Sequence, residues 1–232
     1  MWTENGKTYN KAVTFSYDDG IESDKRLTQI FNYYKVRCTF NLNSAIIGEK
    51  NSWLHKDFTV RRMQLEDVMS TYSGHEIASH GSRHLAPTDL SDEELTAEFR
   101  DDLDKLEKMF GVRPVGMAYA YGAYNDKVVD YLKNLGIRYA RTVEESLNCD
   151  IQQDLLRFKP TCHHNNEKLF DIADEFLAYD GPDDKVFYVW GHSYEFGGDD
   201  NWDRIEKLCD MVAGRDDILY ATNAQALLHY DA

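Results

Sequence analysis

Short apolar runs alternate with stretches whose apolar residues recur every three to four positions, and the rhythm persists from Lys11 to Leu228. Lys11–Tyr17 (KAVTFSY) reads as a strand ended by Asp18-Asp19-Gly20, and Ser23–Tyr34 places Leu27, Ile30, Phe31 and Tyr34 on one helical face. Arg37–Asn43 alternates like a strand, Val60–Thr71 reads as a helix and Glu76–His80 as a short strand. Ser91–Phe110 is the clearest helix. Ser91 and Glu94 make a capping box, Leu95, Phe99, Leu103, Leu106 and Phe110 form the apolar stripe, and Gly111 stops it. The second half predicts strands over Val115–Tyr121, Arg138–Val143, Val186–Trp190 and Ile218–Ala221. Helices are predicted between and after them, over Asp126–Leu135 (capped by Asn125), Leu169–Leu177, Trp202–Val212 and Ala224–Leu228.

About seven βα units without a linker predict one α/β domain over residues 1–232 with a mainly parallel sheet. That many units suit a barrel or near-barrel better than a small doubly wound sheet. In such a barrel chemistry gathers at the C-terminal ends of strands. Asp18-Asp19, His80, Tyr121-Gly122 and Gly191-His192 all fall at predicted strand ends.

Charge narrows the partners. Lys and Arg number 26 against 41 Asp and Glu, a net −15, which argues against nucleic acid or an anionic membrane surface as partner. No apolar run approaches the roughly 18 residues of a membrane span. The start, MWTENGKTYNKAVTF, lacks a signal peptide's basic and apolar regions. Cys38, Cys149, Cys162 and Cys209 form no C-x-x-C pair, so the expectation is small buried thiols in a reduced, cytoplasmic protein.

Adjacent acids after a strand point in different directions, so one of Asp18 and Asp19 can ligate a metal while the other serves as base; paired acids also occur as plain turn formers. His80 and His84, read as one helical turn, can reach a common ion. With Asp19 they make a three-ligand set suited to zinc or a similar divalent metal. His192, at the mouth of a buried strand, suits general acid or base work. Gly191-His192-Ser193-Tyr194-Glu195 lacks the last glycine of a nucleophile elbow, which excludes that reading.

In order, TFSYDDG, SHGSRH, AYAYG and VWGHS resemble the motifs of the polysaccharide deacetylases, the NodB-homology or family 4 carbohydrate esterases. The resemblance runs from about Thr14 to His192. It implies a distorted (β/α) barrel that removes N- or O-acetyl groups from sugar polymers with one divalent metal, zinc first, with cobalt or nickel as substitutes. By position it implies Asp18 as base, Asp19, His80 and His84 as metal ligands, the Tyr121 backbone N–H as oxyanion donor and His192 as acid. Three departures stand out. Gly81 replaces the usual Ser or Thr, Ala118 stands where an arginine pairs with the base, and the acid that tunes the catalytic histidine has no clear place. Glu144, Glu145 and Asp150 are candidates for that acid, and Arg141, on the next strand, is the candidate replacement for the arginine.

The expected substrate is an acetylated carbohydrate or a small amide, with Tyr121, Trp190 and Trp202, beside Tyr194, as candidate stacking residues. Alternatives are hydrolysis of another C–N bond (a small amide, formamide or cyclic ureide), a carbohydrate-binding pseudo-enzyme, and a two-histidine, one-carboxylate iron oxygenase.

Overall fold

Every residue of Lys11–Asp18 and of Cys38–Leu42 is buried, as strands covered on both faces require. They are β1 and β2 of an eight-stranded sheet completed by β3 (Glu76–Ser79), β4 (Gly116–Ala118), β5 (Tyr139–Arg141), β6 (Cys162–His163), β7 (Lys185–Gly191) and β8 (Leu219–Tyr220). The computed structural model describes residues 1–229, so the last three residues of the expected 1–232 unit lie outside the described residues. Strand order is β6-β7-β1-β2-β3-β4-β5, with β8 on β1, and every pairing is parallel. The curl comes round through one extended segment. Phe158 pairs with Arg141 of β5, and a few residues on the Thr161 N–H donates to the Tyr188 carbonyl of β7 at 2.9 Å. The alternation predicts a barrel or near-barrel, and this is the distorted (β/α) barrel that the resemblance implies.

Period two along β1 decides what faces what. Val13, Phe15 and Tyr17 pack with Phe31, Phe40 and Leu208 in the core between sheet and helices. Thr14, Ser16 and Asp18 face the other way, into a polar interior where Thr14 bonds Asn223 and Asn41 donates to both Ser16 and Asp18, each at 2.8 Å. Among the described residues no helix is long and apolar enough to cross a membrane.

Three elements differ from the sequence expectation. Val60–Thr71 is not one helix: Ser52–His55 and Phe58–Arg61 form an antiparallel hairpin, with Trp53 opposite Val60, and the helix starts only at Leu65. The hairpin docks on the helix Ser193–Gly198, where Gly197 and Gly198 leave room for the rings of Phe58 and His55. The strand expected over Val115–Tyr121 ends at Ala118, because Tyr121 turns left-handed. A second hairpin, Trp2–Glu4 with Lys7–Tyr9, is anchored by the Trp2 indole N–H on the Ala226 carbonyl at 2.9 Å.

Candidate active site

Asp18 is the last inward residue of β1 and is 2 % exposed. One carboxylate oxygen accepts the Asn41 amide; the other pairs with the Arg141 guanidinium, which is itself fully buried and lies 4.2 Å over the Trp190 ring. Burial pushes the Asp18 carboxyl up, but the charges of Arg141, His80 and His192 outweigh it and hold the group at about 2. Arg141 reaches Asp18 from the far side of the sheet because the curl brings β5 round to face β1.

One peptide on, Asp19 has a left-handed backbone (φ 83) that swings its side chain to the opposite side of the strand mouth. Its Oδ1 stands 3.8 Å from His80 Nε2, 3.6 Å from His84 Nε2 and 3.7 Å from the Arg62 guanidinium. His80 and His84 do not share a helical turn. They flank a loop in which Gly81 (φ 78) and His84 (φ 62) are left-handed.

The trio fits a divalent metal. Asp19 Oδ1 and His80 Nε2 are buried and lack a hydrogen-bond partner, and one ligand atom from each of Asp19, His80 and His84 lies within 4.8 Å of the others. The His80 Nδ1–H donates to the Ala118 carbonyl at 2.8 Å, which leaves the Nε2 lone pair facing Asp19 and His84. Burial and the neighbouring His80 push His84 down to about 4, the neutral form a ligand needs. Two imidazoles and one carboxylate suit zinc.

His192 follows β7 with Nε2 4.0 Å from Asp18. Its partner is Glu195, three residues on, in the first turn of Ser193–Gly198. The Glu195 carboxylate accepts the His192 backbone N–H at 3.1 Å and stands 3.4 Å from Nδ1. Burial pulls His192 down, but Glu195, then Asp19 and Asp18, raise it to about 9. Glu195 is held well below the carboxylate range: burial opposes its ionisation, and His163, His164 and His192 overcome it. Ser193 is no nucleophile, since its hydroxyl is buried and donates to Asp24 at 2.6 Å.

His163, His164 and Glu195 are also close enough to share an ion, and His164 Nε2 is buried without a hydrogen-bond partner, yet His163 turns no lone pair toward the other two. The Asn165 N–H donates to His163 Nδ1 at 3.1 Å, so the ring proton sits on Nε2 and points at Glu195 rather than leaving a lone pair there.

The remaining expectations divide. Tyr121, left-handed at φ 57 and 70 % exposed, stands edge-on to the His84 ring at 4.5 Å, on the rim of the ligand trio. Trp190 is 8 % exposed with Arg141 across its ring, so it supports that guanidinium and offers no face for stacking. Trp202 packs on Phe196 beneath Arg26, between helices and away from the trio. Glu144 pairs with Lys159, Asp150 with Lys185, and Glu145 accepts from the His163 backbone and the Asn166 amide; the acid at His192 is Glu195. Sequence reasoning passed over Glu195, Asn41 and Arg62. Only the i, i+3 spacing of His192 and Glu195, read as a helix start, could have pointed to the first of them.

Known structures share this fold. An allantoinase superposes with a TM-score of 0.71 at 12 % identity over 95 % of this chain and 90 % of its own. A family 4 carbohydrate esterase from Streptomyces lividans, in complex with acetate, gives 0.59 at 13 % identity over 92 % and 93 %. The Streptococcus pyogenes deacetylase PplD gives 0.50 at 20 % identity over 56 % of this chain and 55 % of its own, so the chain spans about half of that relative's length. No curated protein matches the chain in sequence. The sequence profile of the polysaccharide deacetylases matches residues 5–140, more than half of the chain. With that match, on this barrel, the chain belongs to the polysaccharide deacetylase family.

Proposed function

We propose that the chain is a metal-dependent hydrolase that removes acetyl groups from a carbohydrate, with Asp18 as base, His192 as acid and the metal on Asp19, His80 and His84. One observation carries this reading. An anionic carboxylate and a cationic imidazole flank the ligand trio, each kept in its charge state by a partner of its own, the buried Arg141 for Asp18 and the half-buried Glu195 for His192. A binding site has no use for that separation; a hydrolase needs it.

A bound divalent ion would supply the Lewis acid that polarises the acetyl carbonyl and lowers the pKa of a water. Asp18 takes a proton from the attacking water, and Arg141 keeps its carboxylate ionised and aimed. The Tyr121 N–H, turned by its left-handed backbone, donates to the developing oxyanion, and a well-aimed donor of this kind contributes about 3 kcal/mol. His192 gives its Nε2 proton to the departing amine or alkoxide, while Glu195 balances the imidazolium charge until the proton leaves.

The test is acetate release from a panel of acetylated glycans and small amides, with and without chelator. Release that chelation stops and zinc restores supports the reading. Release indifferent to chelator overturns it. The overlap with an allantoinase favours a second reading, opening of a cyclic ureide by the same groups, and a ureide in the panel separates the two.

A further inference from the structure

The loop from His80 to His84 has no regular secondary structure, and two of its residues hold left-handed backbone, Gly81 (φ 78) and His84 (φ 62). Such conformations persist at non-glycine residues only where the surroundings over-determine them. On the carbonyl side, the Asn43 amide donates to the His80 and Gly81 carbonyls at 2.8 and 2.9 Å. On the amide side stands Glu98. Its carboxylate accepts the N–H of Arg83 at 3.2 Å to each oxygen and that of Leu85 at 3.0 Å, and these two amides flank His84. Its backbone carbonyl accepts the Ser82 N–H at 2.8 Å. The fit is close: a Cβ at Gly81 would lie 2.3 Å from Glu98 Oε1.

Glu98 sits in a π-helical turn, Thr96–Arg100, between the helical segments Asp92–Leu95 and Asp101–Phe110. Such a turn inserts a residue into an otherwise regular helix and is frequent at functional sites. Here the turn carries a 2 % exposed carboxylate that is turned onto the loop.

We propose that Glu98 is a positioning residue, whose buried carboxylate bridges the two amides flanking His84 and so fixes where that imidazole stands relative to His80 and Asp19. It touches no reacting atom, and the inference rests on the ligand reading of those three residues.

Cobalt(II) added to metal-stripped protein reports affinity and ligand geometry together through its visible absorption. Glu98→Ala should bind cobalt about 10–100-fold more weakly, with an altered band. In the metal-free protein the Arg83 and Leu85 amides should then exchange hydrogen faster. Glu98→Gln, which keeps one acceptor oxygen, should fall between. Leu95→Ala, a core truncation just before the π-helical turn, controls for lost stability, lowering Tm while leaving cobalt affinity and both amides unchanged. Parent-like cobalt binding with unchanged exchange in Glu98→Ala overturns the proposal, as do equal effects from Leu95→Ala. If the parent and His84→Ala take up cobalt alike, the ligand reading fails and exchange alone decides. Faster exchange at Arg83 and Leu85 then supports the loop-fixing role, and unchanged exchange overturns it.

Discussion

Asp18 and Asp19 are one peptide apart and live in opposite environments. Asp18 faces the barrel interior and shares its charge with Arg141; Asp19, turned left-handed, faces two imidazoles. Removing the guanidinium strands a buried carboxylate, so Arg141→Ala should lose about 3–5 kcal/mol in urea unfolding, and most acetate release with it. Unaltered unfolding and turnover would exclude Arg141 from both roles. Asp18→Asn should keep metal and lose about 10²–10⁴-fold in turnover, since the water then has no base. Glu195 raises His192, so Glu195→Gln should move the alkaline limb of the pH–rate profile to lower pH; a limb that stays in place removes Glu195 from the mechanism. At this scale the sequence was most legible where a residue ends or directly follows a strand: Asp18, Asp19, His80, His192 and Arg141 converge, and His84 joins them from the loop after His80. Glu195 was not legible, because its role depends on a six-residue helix that no periodicity announces.

Among the elements, strands buried on both faces and the capped helix starting at Ser91 stand close to where pattern and caps put them. The hairpin Ser52–Arg61 does not. Phe58–Arg61 carries apolar residues at a spacing that continues into the helix after it, and tertiary contacts hold it extended: pairing with Ser52–His55 and docking of the hairpin against Gly197 and Gly198. The His80–His84 loop was misjudged for a related reason: an i, i+4 spacing suggests a helix, whereas a distant carboxylate and amide fold the loop instead. The Ser91–Glu94 box satisfies two N–H groups at the helix start. Ser91→Ala should therefore cost about 1 kcal/mol in thermal or urea unfolding. Metal binding should be untouched; if it weakens too, the helix start is coupled to the site.

For the whole molecule, two buried carboxyls tie the active-site strands to their surroundings. Asp24 accepts from Ser193 and Tyr72, and Asp102 from Ser79 and Ser44. Burial raises them to about 7 and about 6, with those hydrogen bonds opposing the rise. An acid raised on folding stabilises fully below its unfolded pKa of about 4, and that contribution is lost as pH rises through the folded value. Asp18, held at about 2, acts in reverse, its stabilisation present above about 4 and lost toward 2. Each raised acid therefore takes up to about 1.4 kcal/mol per unit from the stability of the metal-free protein between pH 4 and its folded value. Against that loss stands the gain from His75, His84 and His164, which burial pushes down to about 4. Asp24→Asn should remove Asp24's share of that loss, so that stability in denaturant titrations rises more, or falls less, with pH between 4 and 7 than in the parent, and an unchanged slope would exclude Asp24 from the balance.

The profile match ends at residue 140, one short of Arg141. The proposed ligands Asp19, His80 and His84 lie inside the matched stretch, and Arg141, His192 and Glu195 lie outside it. The two portions meet through the register of β7 on β1, Gly191 opposite Tyr17. One pair of strands therefore sets the spacing of the proposed base, which follows Tyr17, and the proposed acid, which follows Gly191, and a slip of β7 along β1 would part them with every side chain kept.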